Sequence, residues 1–324
     1  MKLRAAYTRA DLHKASSGGV SLKFSIMTEP HLGGTYDQQL EAARWAEAEG
    51  LVSFARCDHF LSGGDPTPDA TDAFAVLAGL ARDTTDIRLC VLVSPITFRH
   101  PAVIAKNAVT IDQMSGGRFD LGVGTGWMEL EHVNLGFPFP GWRERWTRFE
   151  DALNYLDAAF GEGHGSYEGA YYTLDADMKP KPTGMRRVLG GSGPRRTPSL
   201  AGKWADEYNF FICPPDEARA KIEVMRAAAD GRNVEATAMG GAMVGRTEAE
   251  YQERLAKWAA KRDLQPKELE DRYVNNGFPV GTPDRVAETV AALEDAGVER
   301  IYVQWLDLDD LDTMKETIDI VRGG

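Results

Sequence analysis

The chain has 324 residues, of which 43% are hydrophobic; that supports a sizeable core, excludes wholesale disorder, and fits two average domains or one large α/β barrel. A formal charge of −12, from 37 basic and 49 acidic residues, argues against a nucleic-acid or anionic-membrane partner, whose recognition needs basic clusters. Cys57, Cys90 and Cys213 are widely spaced with no CxxC, so neither a disulfide framework nor a structural zinc site fits, and a reducing cytoplasm is the expected compartment.

Residues 1–21 are polar, lack the apolar stretch of a secretory signal and read as an N-terminal extension; no apolar run approaches the ~18 residues of a membrane span. Residues 22–324 read as one domain. Leu22 to Met27 predicts the first strand and Tyr36 to Glu49 the first helix, stopped by Gly50. Leu51 to Ala55, Ile87 to Val93 and Arg118 to Val123 predict strands two to four. Between them fall helices over Ala70 to Arg82 and Pro101 to Met114. Trp142 to Phe160 is a long amphipathic helix, and the Gly/Tyr-rich stretch Gly161 to Leu174 reads as an inserted hairpin. Strands five to eight are placed at Val188-Leu189, Tyr208 to Phe211, Ala236 to Val244 and Arg300 to Gln304. Helices fall over Pro198 to Trp204 and Asp216 to Ala229, after the capping box Thr247-Glu248-Ala249-Glu250, from Thr282-Pro283 to Gly297, and over Leu311 to Val321. Eight strand–helix units in order imply parallel pairing and fit a closed (β/α)8 TIM barrel with insertions better than an open doubly wound sheet.

In such a barrel the chemistry sits where the strands end. Strand two ends in Asp58-His59. A histidine in a cleft there can serve as general acid or base near neutrality; a structural histidine bonded to a neighbouring loop is the alternative. His31, His100 and His132 read as structural or loop-bonded. Gly190-Gly191-Ser192-Gly193, ahead of a helix, can cradle a phosphate on backbone N–H groups, with Arg195 or Arg196 adding charge; an ordinary strand-to-helix turn needs the same residues. Gly122 to Gly126 lacks the GxGxxG spacing of a dinucleotide fold. Its glycines instead suit a flat group lying against the backbone.

With these residues in hand, the sequence resembles the luciferase-like flavin and deazaflavin oxidoreductases. The resemblance is carried by Asp58-His59-Phe60, by Thr97 to Ala102, and above all by Asp112 to Trp127. Gly190 to Pro194 and Val280 to Pro283 add to it, and in style it is closest to the coenzyme F420-dependent branch. It implies a luciferase-like barrel with a flavin-type ring against the ends of strands three and four, and His59 near the reactive ring carbon with Asp58 beside the ring edge. Leu92, Val93 and Ser94 would lie beneath the ring, with a non-proline cis bond at Leu92–Val93. Thr125 and Gly126 would touch the ring or its chain, and Gly190, Gly191, Ser192 and Gly193 would take the phosphate. Two positions depart from the sugar-phosphate dehydrogenases of that branch. Glycines (Gly63-Gly64) replace a tryptophan past the Asp-His pair, and Trp127 stands where a glutamate follows Thr-Gly. Trp127, with His31, is therefore assigned to the wall of an apolar or aromatic substrate pocket.

The first functional expectation is a coenzyme F420-dependent oxidoreductase, with His59 handling a proton while hydride passes between the ring and a small organic substrate. The alternative is an FMN-dependent monooxygenase of the same superfamily. A metal-dependent barrel hydrolase lacks an HxH pair or tight His/Asp cluster, so no metal is assigned; a cofactor-binding protein without catalysis is the remaining class. The resemblance also implies a homodimer.

Overall fold

A computed structural model describes residues 22–63 and 68–323; the expected N-terminal extension and Gly64 lie outside them. Eight parallel strands close into a barrel: β1 (Lys23–Thr28), β2 (Ser53–Arg56), β3 (Arg88–Pro95), β4 (Phe119–Gly124), β7 (Arg186–Gly190), β8 (Glu207–Phe211), β9 (Glu235–Gly240) and β12 (Arg300–Trp305), with β12 pairing back onto β1. Each of the eight answers a strand read from the sequence. The expected hairpin is present as the antiparallel pair β5 (Gly165–Glu168) and β6 (Thr173–Ala176).

Strand periodicity sorts the side chains into two cores. Ile26, Phe54, Leu89, Leu121, Leu189, Phe210, Ile301 and Val303 belong to the large cluster shared with the helices. The alternate positions, Met27, Ala55, Cys90, Leu92, Val188, Met239 and Tyr302, form a separate cluster that plugs the barrel, as a period of two demands. One layer below, the interior is ionic. Arg300, fully buried, reaches Glu207 and, at 3.0 Å, Glu235, while the Tyr302 hydroxyl donates to Glu207 at 3.0 Å. A buried carboxylate set of this kind survives because its charges are paired.

The helices follow the sequence with shifted ends. α1 (Tyr36–Ala48) starts on a Thr35–Gln38 capping box. α2 (Ala73–Asp83) starts three residues later than expected, because the Asp72 side chain caps it by accepting from the Ala75 amide. α3 (Pro101–Ser115) ends on Gly116 at φ 70°. A seven-residue helix absent from the sequence reading, α4 (Glu129–Leu135), precedes α5 (Trp142–Phe160). α6 (Arg196–Trp204) and α7 (Pro215–Ala229) flank β8. The strand expected over Ala236 to Val244 breaks at Gly240; its end, β10 (Met243–Val244), pairs with β11 (Val280–Gly281) in a small separate sheet. That sheet is covered by α8 (Glu248–Ala260) and α9 (Pro266–Asn275); α10 (Pro283–Asp295) and α11 (Leu311–Val321) complete the outer layer. All three cysteines are buried and free, and among the described residues no helix is long and apolar enough to cross a membrane.

Candidate active site

The carboxyl ends of the strands surround a cavity of about 650 Å³, within the ~300–1,000 Å³ range of cofactor sites. Met27, Leu92, Val93 and Met239 from the barrel plug contribute to its lining. The Leu92–Val93 peptide bond is cis, at the bond expected, and the β3–β4 register shifts between Val91 and Ser94. Val93 also explains the glycines opposite it. A Cβ added to Gly122, Gly124 or Gly190 would stand 3.1, 2.8 or 2.6 Å from a Val93 methyl carbon. Val93, joined at Gly122 by the Val91 carbonyl, packs against those glycines, and Gly124 also lines the cavity.

His59 stands on the cavity wall at the end of β2. Its Nδ1 bonds Glu131 Oε2 at 2.9 Å, and the Glu131 side chain has no solvent exposure. The other oxygen, Glu131 Oε1, accepts from the Leu61 amide at 3.0 Å and from the Phe60 amide. Burial alone disfavours a charged His59, but the Glu131 hydrogen bond and charge, helped by Glu29 and Asp58, outweigh it and hold the imidazole above its ordinary value. Burial likewise works against ionised Glu131, and the His59 bond with the two amides overcomes it, holding that carboxyl below its ordinary value. The result is an imidazole with Nδ1 committed to a carboxylate, the arrangement that orients a proton-transferring histidine. Glu131, carried by α4, is the functional residue that sequence reasoning left without a role.

Asp58 does not share this cavity. Its carboxylate accepts from Ser94 Oγ at 2.7 Å and from both terminal nitrogens of Arg99, one at 3.1 Å, and Arg99 bridges on to Asp72. Asp58 and Ser94, both expected at the cofactor, instead tie β2, β3 and the start of α2 together behind the wall. His31 is on the wall: its ring centroid lies 4.8 Å from that of His59, and its Nδ1 is 3.2 Å from Cys57 Sγ and 3.3 Å from Glu29 Oε2. Trp127 meets His59 edge-on at 5.6 Å and is 72% exposed, so it forms the rim of the mouth. His132 bonds Thr97 at 2.7 Å and the Met128 carbonyl at 2.7 Å, and His100 caps α3, the structural roles expected of them.

Thr125 and Gly126 line the same cavity. Gly126 sits at φ 77°, and a Cβ there would lie 2.7 Å from Thr97 Oγ1, so only glycine fits. Gly190, Gly191, Ser192 and Gly193 line the far end. The Gly191 amide is spent on the Asn209 carbonyl at 3.0 Å, and Ser192 Oγ accepts from the Phe211 amide at 3.1 Å. The amides of Ser192 and Gly193 donate to no described residue and stand just ahead of the α6 N-terminus, whose flanking Arg195 supplies no side-chain cap. A Cβ on Gly193 would reach Thr197 Oγ1 at 2.7 Å. An apolar chamber with a glycine-kept cradle of amides at one end suits a flavin-type ring with a phosphate.

A closed barrel with a chamber where its strands end places the chain among the (β/α)8 proteins. The sequence model of the luciferase-like monooxygenases matches residues 17–300, and the chain belongs to that family. It is 24% identical over 90% of its length, and 87% of the relative's, to an FMNH(2)-dependent dimethylsulfone monooxygenase of Pseudomonas fluorescens. It is 27% identical to the pyrimidine monooxygenase RutA of a Bradyrhizobium species over 59% of this chain, spanning about half (54%) of that relative. Its fold matches that of an F420-dependent secondary alcohol dehydrogenase with a TM-score of 0.75, at 22% identity, over 93% of this chain and 99% of the other. The family model is that of monooxygenases, and one of these relatives is named for its dependence on FMNH(2).

Proposed function

We propose that this protein transfers hydride between coenzyme F420 and a small organic substrate, with His59 exchanging the accompanying proton. The observation that carries the proposal is the His59–Glu131 pair on the wall of the cavity: Nδ1 is fixed by a buried carboxylate, which leaves Nε2 to face the substrate. A carbonyl reduced by hydride needs a proton on oxygen, and an alcohol oxidised the same way must lose one, so the imidazole supplies what a hydride carrier does not. When bound, the deazaflavin accepts or donates the hydride. Leu92, Val93, Thr125 and Gly126 would hold its ring, and the Ser192 and Gly193 amides its phosphate. The exposed Trp127 and the apolar lining favour a substrate with apolar or aromatic surface.

A second reading, an FMN-dependent monooxygenase, is favoured by the likeness to the FMNH(2)-dependent relative along most of the chain. Fluorescence titration with coenzyme F420 and with FMN separates the two. Tighter binding of the deazaflavin supports hydride transfer, tighter binding of FMN moves the assignment to monooxygenation, and saturable binding of neither refutes both.

A further inference from the structure

A second cluster of polar side chains stands on the cavity wall beside His59. β1 and β2 are neighbouring parallel strands paired Thr28 to Arg56, so the residues that follow them emerge side by side. Glu29 and His31 follow β1, Cys57 follows β2, and all three line the cavity. Nδ1 of His31 lies 3.2 Å from Cys57 Sγ and 3.3 Å from Glu29 Oε2, and the three ligand atoms all fall within 4.8 Å of one another. Nδ1 offers one N–H or one lone pair, yet two heteroatoms stand at its single bonding position. Gln304 fixes the carboxylate by donating from Nε2 to Glu29 Oε1 at 2.6 Å, which leaves Oε2 to the trio. The His31 and Glu29 side chains keep 11% and 10% exposure, so the trio is reached from the cavity. His59 is not part of it, because its Nδ1 is held by Glu131.

A tetrahedral cation holds thiolate, imidazole and carboxylate at about 2.0–2.3 Å, which sets the ligand atoms about 3.3–3.6 Å apart. Both contacts of His31 Nδ1 are already close to that spacing, and the carboxylate has to close on the thiol by no more than about 1 Å. Sulfur, imidazole nitrogen and one carboxylate oxygen together select a transition metal such as Zn²⁺ over Mg²⁺ or Ca²⁺, which want oxygen alone. An ionised thiol and carboxylate also match a divalent charge. Three protein ligands leave the fourth position of the tetrahedron to water or to an oxygen of a molecule in the cavity, as in open zinc sites. We propose that Glu29, His31 and Cys57 form a three-ligand site for a zinc-class divalent cation, with its fourth position turned to the cavity. The site stands on these side chains and does not depend on which ring cofactor the cavity takes.

The probes are Co²⁺ and Zn²⁺, added to the full chain after stripping with a chelator. One equivalent of Co²⁺ should produce a thiolate-to-cobalt charge-transfer band with the intense visible bands of four-coordinate cobalt. Zn²⁺ should displace it and raise the melting temperature. Cys57→Ser should abolish the charge-transfer band, while Cys213→Ser, whose thiol lies beside Lys221, should leave it unchanged. Gln304→Leu, which removes only the group that orients Glu29, should weaken Zn²⁺ binding by about 10- to 100-fold, and His31→Gln or Glu29→Gln by roughly 100-fold or more. The rival account is a hydrogen-bonded trio that takes no cation. It predicts no thiolate band at any Co²⁺ concentration, and that result in folded protein overturns the proposal, as does a band that persists in Cys57→Ser. Should Cys57→Ser fail to fold, His31→Gln and Glu29→Gln decide, and Zn²⁺ affinity unchanged in both overturns the site. Titration of the stripped protein with FMN and F420 is a separate readout, so failure of the hydride reading and failure of the metal site are told apart.

Discussion

Glu131→Gln is the most informative single change, because three donors face one carboxylate. His59 Nδ1 and the Phe60 and Leu61 amides all point at Glu131, and an amide side chain offers only one oxygen. With its oxygen left on the Phe60 and Leu61 amides, the substituted side chain turns its NH2 to His59 Nδ1, where it meets a second donor while the imidazole is protonated and finds an acceptor only once the neutral ring carries its proton on Nε2. An unsatisfied buried donor costs about 1–3 kcal/mol and a lost charged bond adds to it, so the expected destabilisation is about 3 kcal/mol. The cost depends on pH with a definite sign. The His59 pKa is raised above its ordinary 6.5, so its share is complete below 6.5 and lost as pH climbs through the raised value. The Glu131 pKa is lowered from its ordinary 4.5, so its share is complete above 4.5 and lost as pH falls through the lowered value. The pair therefore stabilises most between those two ordinary values. Urea unfolding of both proteins at pH about 5.5 and about 9 checks this. The gap between them should be widest at the lower pH, and the His59 ring proton resonances should titrate at lower pH in the variant. A gap that is absent, or the same at both pH values, refutes the assigned pair.

Three further outcomes follow from the geometry. Asp58→Asn should destabilise by about 2–4 kcal/mol, since it strips a buried ion pair from Arg99 while the Asp72 bridge remains; cofactor affinity of the folded protein should stay unchanged, and a large loss of affinity with normal stability would return Asp58 to the ring edge. Gly190→Ala should lower the melting temperature, because its methyl would lie 2.6 Å from Val93 Cγ1 and overpacking costs about 1–3 kcal/mol. Adding Val93→Ala should recover much of that loss, a coupling read from the double-mutant cycle; strictly additive losses would contradict the Val93 account. Arg300→Met should destabilise by about 3–5 kcal/mol by leaving buried Glu207 with only the longer Arg186 pair at 3.6 Å, measured by denaturant unfolding.

The barrel was legible because its strands carry short apolar runs, aliphatic in β3 and aromatic in β8, and because a period of two separates the helix-facing Ile301 and Val303 from the interior Tyr302. His59, Trp127 and the Gly190–Gly193 stretch fall on one rim since they directly follow strands, where chain order alone fixes position. Asp58 does not, because neighbouring residues at a strand end face opposite ways and the partner that draws it off the wall, Arg99, is 41 positions away. Glu131 escaped for a similar reason. It lies 72 residues from His59, on a seven-residue helix with no side-chain cap at Met128. The run Glu129 to Leu135 closed by Gly136 was the available signal for that helix. The glycines of β4 and β7 show a different limit. Sequence reports that a side chain is missing, and only packing reports that Val93 lies against the gap.

The central claim is that His59 transfers a proton in a cavity that binds the cofactor through other residues. It is tested most directly by His59→Asn, which keeps an N–H for Glu131 and removes the titrating group. Cofactor affinity, melting temperature and the single-turnover rate with a surrogate hydride acceptor would be measured on the same preparation. The account predicts near-normal affinity and stability with a rate lowered by roughly 10²–10⁴, the usual contribution of a positioned general acid or base. Weaker binding and a lower melting temperature, with the rate of the remaining holoenzyme preserved, would contradict it and leave His59 as a structural residue.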